Sequence, residues 1–316
     1  MNARPRDLAI DFVKCLAVLF IVNSHLDDCY PAGLRGLATG GAIGNALFFY
    51  CSGYTLAHGR FDAFPSWYKR RLARILPSFL VCTVVCSYLL GAPWWSTAAA
   101  FWFVRCILVH YVALYVVRTR LMGRKAFVCL LTAALIVAWW AFLEQPQDDI
   151  YDSAYFLWLH YFPCTLLGLF AAEAPRRPSP LFSAVAAAGL VAFYYGVRAV
   201  AVGRADLGVV QLAAVPAVAV LPHFLLDAAR ASCVSKLMAS AAGRAVRFVG
   251  GLSLEIYLIH FLVAGYGAKV AFPLNLAAVF AASVLAAYLL RALTRFMLQT
   301  FGRDADYDFR AMFKAE

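Results

Sequence analysis

The chain has 316 residues, of which 64% are hydrophobic and only 14% are charged, and its mean hydropathy is +0.74. Soluble domains are usually about 45–50% apolar and about 25% charged, because their surfaces need polar cover. The composition therefore excludes a soluble enzyme, a disordered chain and a disulfide-stapled secreted module, and it indicates a polytopic membrane protein. The net charge of +11 comes from 28 Lys and Arg against 17 Asp and Glu, and in a membrane protein this excess is first a signal of topology.

Apolar runs follow one another along the whole chain. A spanning helix needs roughly 20 mostly apolar residues, and about ten such runs are separated by charged or Pro/Gly-rich breaks. The predicted fold is all-α, a single integral-membrane domain over residues 1–316 with about ten transmembrane helices and no appended soluble domain. The runs centre near Leu19, Phe49, Val81, Leu108, Leu131, Leu166, Ala188, Ala217, Tyr257 and Leu285.

The breaks between these runs alternate in their content of basic residues. With the N-terminus inside, the outer breaks hold only Arg35, Arg198, Arg204 and Lys269, and the outer break 144–152 is purely acidic. Both termini are therefore expected in the cytoplasm. Asp7, Asp11 and Lys14 interrupt the start of the first run and no small-x-small site follows, so no cleaved signal peptide is expected.

The nine cysteines are scattered, mostly within the apolar runs. No C-x-x-C pair exists, and although Cys82 and Cys86 share a helix face, no further Cys or His lies at metal-ligand spacing. We predict neither a disulfide nor a metal site.

The first predicted helix carries ionisable residues on one face. At 100° per residue, Asp11, Lys14 and His25 fall within about 60° of one another, and Lys14 and His25 are about 16 Å apart by helical rise. An ionisable side chain at a helix centre costs about 2.5–3.5 kcal/mol, so this stripe is a candidate for function. The alternative is a snorkelling Lys14 and an interfacial His25 that faces loop water.

The second and third predicted helices contribute small and basic residues. Ser52 lies in a run rich in Gly and aromatic residues, which favours close helix packing and, as a weaker reading, room for a ligand chain. Arg71 and Arg74 share a helix face next to Pro77 and suit a phosphate-rich cytoplasmic ligand. Anchoring to anionic lipid is the alternative for this cluster.

The fourth predicted helix contains Trp102, and Arg105 follows within the apolar run. Arg105 should face a polar cavity or an anionic group. The alternative is a structural ion pair with Glu255 or with an Asp of the first helix. Arg291 and Arg295, near the cytoplasmic end of the last run, are interpreted as snorkelling cations.

The ninth helix carries Ser253, Tyr257 and His260 at positions i, i+4 and i+7, which place them on one face. A histidine on such a polar stripe is difficult to explain as facing lipid. A hydrogen-bond network that holds the bundle together is the slightly favoured interpretation, and a direct part in catalysis is the other.

In this order, these segments resemble acyltransferase family 3, integral-membrane O-acyltransferases of the O-antigen, peptidoglycan and nodulation-factor acetylase type. The resemblance consists of a basic residue eleven positions before a histidine (Lys14 and His25), the motif Phe48-Phe49-x-x-Ser52-Gly53-Tyr54, the basic motif at residues 68–77, Trp102-Phe103-Val104, and Ser253-x-x-x-Tyr257-Leu258-x-His260. There are two departures: Phe101 stands where the family often has histidine, and Lys14 stands where many members have arginine.

The resemblance implies a donor, an acceptor and a location. The donor is acyl-CoA, usually acetyl-CoA, with no metal cofactor and no nucleic-acid partner. The acceptor is a hydroxyl of a cell-surface or exported glycan or lipid-linked sugar. The chain is then a multi-pass protein of the bacterial plasma membrane, in contact with the lipid bilayer. A homo-oligomer is compatible with this picture.

The resemblance also implies roles for particular residues. His25 is the general base or a transient acyl carrier. Donor binding is assigned to Lys14, Arg71, Arg74 and Arg105. A supporting polar network or the acceptor side is assigned to Asp11, Ser52, Trp102, Ser253, Tyr257 and His260.

Two functions of other classes compete with this one. A proton-coupled or small-molecule transporter could use the same intramembrane charges, but it predicts repeat symmetry and matching broken helices, and the sequence shows neither clearly. A structural or sensing subunit without turnover does not explain charges aligned with a buried histidine.

Overall fold

A computed structural model describes residues 7–143, 149–151, 156–173, 178–267, 270–301 and 307–314. All regular structure in these ranges is helical, and they contain no strand. The all-α prediction is thereby confirmed. Most of the acidic break (144–148 and Asp152) and the outer cation Lys269 lie outside the described residues.

The α-helices are α1 (Leu8–Asn23), α2 (Gly41–Ala57), α3 (Phe64–Leu90), α4 (Trp94–Ala100), α5 (Trp102–Val116), α6 (Lys125–Phe142), α7 (Phe156–His160), α8 (Phe162–Ala171), α9 (Pro180–Ala201), α10 (Ala214–Ala228), α11 (Ser232–Ala239), α12 (Ala241–Gly251), α13 (Ser253–Gly267), α14 (Leu274–Thr300) and α15 (Phe309–Met312). Short 3-10 helices lie at Asp27–Cys29, Ala32–Leu37, Met122–Arg124 and Ala205–Ala213, and a π-helix lies at Val117–Leu121.

Every predicted centre lies within a helix, from Leu19 in α1 to Leu285 in α14. Fewer helices are long enough to cross a bilayer alone. In the described ranges, five stretches have the length and apolar composition for this: Phe64–Leu90, Trp102–Phe142, Pro180–Ala201, Asp206–Ala228 and Leu274–Thr300. The pair α12 and α13, bent by 79°, meets the same criteria as a sixth. The number of ten spans and the cytoplasmic termini stay predictions.

The chain divides into two compact units. Unit 1 comprises Met1–Val13, Asn45–Phe64 and Cys106–Leu237, and unit 2 comprises Lys14–Gly44, Pro65–Arg105 and Met238–Glu316. In unit 1, α10 packs against α9 and α8, and in unit 2, α13 packs along α14.

Glycines bring two helix backbones of unit 1 close together. Gly53 of α2 lies against the carbonyl oxygen of Thr165 in α8, and Gly168 of α8 lies against the carbonyl oxygen of Tyr50 in α2. A Cβ atom at either glycine would overlap these backbone atoms. The packing interpretation of the Gly-rich second helix is therefore supported at Gly53.

Polar contacts fix the same helix from another side. The Tyr50 hydroxyl lies 3.0 Å from Nδ1 of His223 in α10. Arg230, just beyond α10, donates to the Tyr54 hydroxyl at 3.1 Å and to the Asp7 carboxylate at 2.9 Å. Sequence reasoning did not single out this network of unit 1, since its members are far apart along the chain.

Candidate active site

Most of the predicted site residues belong to unit 2. They are Lys14, His25, Arg71, Arg74, Trp102, Arg105, Ser253, Tyr257 and His260, whereas Asp11 and Ser52 belong to unit 1. In unit 1, Asp11 is buried on α1 and Ser52 is half-buried on α2.

His25 lies just beyond the end of α1, in the turn that follows Asn23. The Asn23 side-chain amide donates to the carbonyl oxygens of Leu37 at 2.7 Å and Thr39 at 3.0 Å, which ties the end of α1 to the loop before α2. The expectation that the helix continues to His25 is wrong. The distance of about 16 Å between Lys14 and His25 assumed the helical rise along the whole stretch. That rise does not apply to the residues after Asn23.

Backbone contacts select the tautomer of His25. Its Nδ1 lies 2.9 Å from the carbonyl oxygen of Ile21, and a carbonyl oxygen only accepts hydrogen bonds. Nδ1 therefore carries the hydrogen, and Nε2 keeps its lone pair. Because the side chain is exposed, Nε2 is the nitrogen that is available to take a proton or to attack a carbonyl carbon.

A second imidazole lies against that of His25. The ring of His260 in α13 meets it edge to face, with centroids 5.1 Å apart at 79°, and the ring of Phe261 does so at 4.5 Å and 89°. His260 is completely buried. Its Nδ1 donates to the carbonyl oxygen of Tyr257 at 2.8 Å, and its Nε2 has no hydrogen-bond partner in the part of the chain that the structure describes. The site thus pairs an exposed imidazole with a buried one.

The rest of the predicted face of α13 is turned inward. Ser253 and Tyr257 are both buried, and the Tyr257 ring lies 5.1 Å from the ring of Phe103 at the start of α5. Trp102, the neighbour of Phe103, is half-buried. This face therefore lies in the interior of unit 2, and the hydrogen-bond network expected on it stays a prediction.

Glu255 of α13 forms a buried ion pair. The sequence suggested Arg105 as its alternative partner, and the structure has a different one. Its Oε2 lies 2.6 Å from a guanidinium nitrogen of Arg291 in α14, and its Oε1 accepts a hydrogen bond from Ser78 of α3 at 3.2 Å. Arg291 also donates to the carbonyl oxygen of Gly251. The interpretation of Arg291 as a snorkelling cation is therefore wrong, because a buried carboxylate lies within its reach.

The basic residues predicted to hold the donor lie on several elements. The Arg71 guanidinium lies 5.5 Å over the ring of Trp67, and Arg74, one turn along α3, is exposed. Arg105 is exposed and donates to the carbonyl oxygen of Ala99 at 2.7 Å, while Lys14 is half-buried on α1. Their part in donor binding stays a prediction.

Sequence reasoning also missed residues next to His25. Phe261 follows His260 directly, and Asp27 and Asp28 follow His25 by two and three positions. Their closeness in the sequence to two candidate histidines was the signal that could have identified these residues. The described ranges contain no group of three or more His, Cys, Asp or Glu that could hold a metal ion.

A family model, that of acyltransferase family 3, described as an acyltransferase domain, matches residues 7–292. The chain belongs to this acyltransferase family. No curated protein and no solved structure matches the chain significantly. Together with the apolar helices, the match identifies a membrane acyltransferase, and it confirms the resemblance drawn from the motifs.

Proposed function

We propose that this family member transfers an acyl group, usually acetyl, from cytoplasmic acyl-CoA to a hydroxyl of a cell-surface or exported glycan or lipid-linked sugar. The observation that carries the proposal is the geometry of His25. Its exposed side chain has Nδ1 bound to the carbonyl of Ile21, so that Nε2 can act as a base. The predicted topology places this end of α1 on the outer side of a bacterial plasma membrane.

In direct transfer, Nε2 of His25 takes the proton of the acceptor hydroxyl as its oxygen attacks the thioester carbonyl carbon. The C–O bond forms, the C–S bond breaks, and the proton passes to the departing CoA thiolate. The products are the acylated sugar and free CoA, and no oxidant or reductant is needed.

In a relay, Nε2 itself attacks the thioester carbonyl carbon, the C–S bond breaks, and the CoA thiolate leaves with the proton that Nδ1 gives up. The acceptor hydroxyl then attacks the acyl-imidazole, the acyl C–N bond breaks, and the hydroxyl proton returns to the imidazole. Both routes use the same nitrogen, and trapping of an acylated His25 in the absence of acceptor would distinguish the relay from direct transfer.

The basic residues of the cytoplasmic side suit the donor. Arg71 and Arg74 lie three positions apart on α3, and guanidinium groups bind phosphates in a bidentate manner. We assign the CoA phosphates to this pair, with Lys14 and Arg105 along the path of the pantetheine arm. Asp11, Ser52, Trp102, Ser253, Tyr257 and His260 are assigned to support or to the acceptor side.

The test uses the purified full chain in liposomes with labelled acetyl-CoA and candidate glycans. His25→Ala should lower CoA release and acetylation by at least about a hundredfold, the usual contribution of a general base. The matched control is His58→Ala, because His58 is an exposed histidine of unit 1. Full turnover by His25→Ala would overturn the assignment, and a wild type that neither binds acetyl-CoA nor releases CoA would overturn the proposed function.

The donor assignment has its own readout in the same assay. Arg71→Ala and Arg74→Ala should raise the KM for acetyl-CoA by roughly tenfold or more, since a lost charge-assisted contact is worth about 1.5–3 kcal/mol. The KM for the acceptor should change little. Equal effects on both constants would contradict a role in donor binding.

A further inference from the structure

The segment that follows His25 is held firmly in place. The Tyr30 hydroxyl donates to Oδ1 of Asn23 at 2.7 Å, and the amide of Asn275, which is almost completely buried, donates to the carbonyl oxygen of Cys29 at 2.6 Å. Together with the contacts of Asn23 to the far end of the loop, these bonds fix the segment 26–40 beside the candidate base.

Two exposed carboxylates lie on this fixed segment. Asp27 and Asp28 begin its first 3-10 helix, and both are exposed. Asp27 follows His25 by only two positions in the chain. The segment also carries one cation, Arg35, which lies further on in the second 3-10 helix.

The interior of the same site offers a further acceptor. The buried Nε2 of His260 has no partner among the described residues, and the ring that carries it meets the ring of His25. Phe261 adds an aromatic ring that is 44% exposed. The groups near His25 thus include acceptors and an apolar ring, beside the Ser24 hydroxyl, which lies 3.2 Å from Nδ1 of His25.

A surface of acceptors and an aromatic ring should favour uncharged or amino sugars over acidic ones. Hydroxyl and ammonium groups can donate to imidazole nitrogens and to carboxylates, and the apolar face of a sugar ring can lie on an aromatic ring. A carboxylate, phosphate or sulfate on the sugar would meet the like charge of Asp27 and Asp28.

We propose that the acceptor end of the site selects hydroxyls of neutral or amino sugars over acidic sugars, and that Asp27 and Asp28 determine this selection. The inference rests on the proposed function, because it concerns the acceptor of the same site. It adds the charge class of the acceptor and names two residues that set it.

The test compares two probes that differ only at C6, where methyl β-glucoside has a hydroxymethyl group and methyl β-glucuronide has a carboxylate. Binding of each to the purified full chain is measured by calorimetry, and acetylation of each from acetyl-CoA is measured by mass spectrometry. The wild type should prefer the glucoside by about tenfold, the effect of like charges a few ångströms apart near a surface. Half-molar salt should weaken the preference through screening.

The decisive variant is Asp27→Asn together with Asp28→Asn, which keeps shape and removes both charges. The preference should fall to within about twofold, mainly because the glucuronide binds better. Asp206→Asn is the matched control, since Asp206 is an exposed acid of unit 1, and it should keep the wild-type preference.

Equal binding of the two probes to the wild type, binding of neither, or an unchanged preference in the double variant would overturn the inference. Thermal melting of each variant shows whether it is folded. Preferential binding of the glucoside without any release of CoA from acetyl-CoA would support the inference and would count against the proposed function alone.

Discussion

At the scale of single residues, the environment of each histidine decides what it can do. The carbonyl of Ile21 fixes the hydrogen on Nδ1 of His25, and the side chain remains exposed. His260 has the same tautomer but is completely buried. The two imidazoles in contact therefore differ in their access to solvent, and the catalytic part of each stays a prediction.

The Glu255–Arg291 pair gives a prediction about stability. The two side chains are 7% and 17% exposed, and removal of one partner of a buried pair costs about 3–5 kcal/mol because the other charge stays buried. Arg291→Met should lower the free energy of unfolding in detergent by this amount, and Glu255→Gln with Arg291→Met should recover most of it.

The control for this pair is an exposed one of the same chemistry. Arg204 and Asp206 are 58% and 66% exposed at 2.9 Å, and such pairs contribute about 0–1 kcal/mol. Arg204→Met should therefore change the free energy of unfolding by less than about 1 kcal/mol. A similar loss for both variants would show that the Glu255 pair is not the buried anchor described above.

At the scale of elements, contacts decide where helices end and how closely they approach. The side chain of Asn23 binds the loop before α2, which removes His25 from the helix that the sequence pattern extends to it. The bend of 79° at Leu252, between α12 and α13, precedes the helix that carries Glu255 and His260. Both features orient side chains of the candidate site.

The close approach of α2 and α8 in unit 1 predicts a strong effect of small substitutions. Gly168→Ala should destabilise the protein by about 1–3 kcal/mol, the usual cost of overpacking, because its Cβ would overlap the backbone of Tyr50. A thermal melt in detergent measures the effect.

Gly189 of α9 is the matched control, since a Cβ there would meet nothing within 4 Å. Gly189→Ala should be neutral or stabilising by up to about 1 kcal/mol, because alanine favours the helix. Equal destabilisation by both substitutions would show that the close contact between α2 and α8 does not govern the effect at Gly168.

At the scale of the whole molecule, the charge distribution predicts the orientation in the membrane. In a background with Cys129→Ser and Cys233→Ser, which removes the exposed thiols among the described residues, Arg35→Cys should react with a membrane-impermeant maleimide in intact cells. Arg120→Cys should react only after permeabilisation, because it lies on the predicted cytoplasmic side. Both positions are exposed, so reversed labelling would reverse the topology.

The sequence by itself determined the class of this protein and indicated a candidate region for its site. Composition and apolar runs are local properties, so they predicted a helical membrane protein, and the ten predicted centres all lie within helices. The spacing of Lys14, His25 and the other motifs identified the family, which the match over residues 7–292 shows. A charged side chain within an apolar run is visible without any knowledge of its neighbours.

Only the tertiary structure decided which of these residues meet. His25 contacts His260 and Phe261, and Glu255 pairs with Arg291 and not with Arg105. It also ended α1 before His25 and brought two glycines against facing backbones. The physical reason is that helix periodicity gives the face on which a residue lies, whereas the partner of that face depends on contacts between segments far apart in the chain.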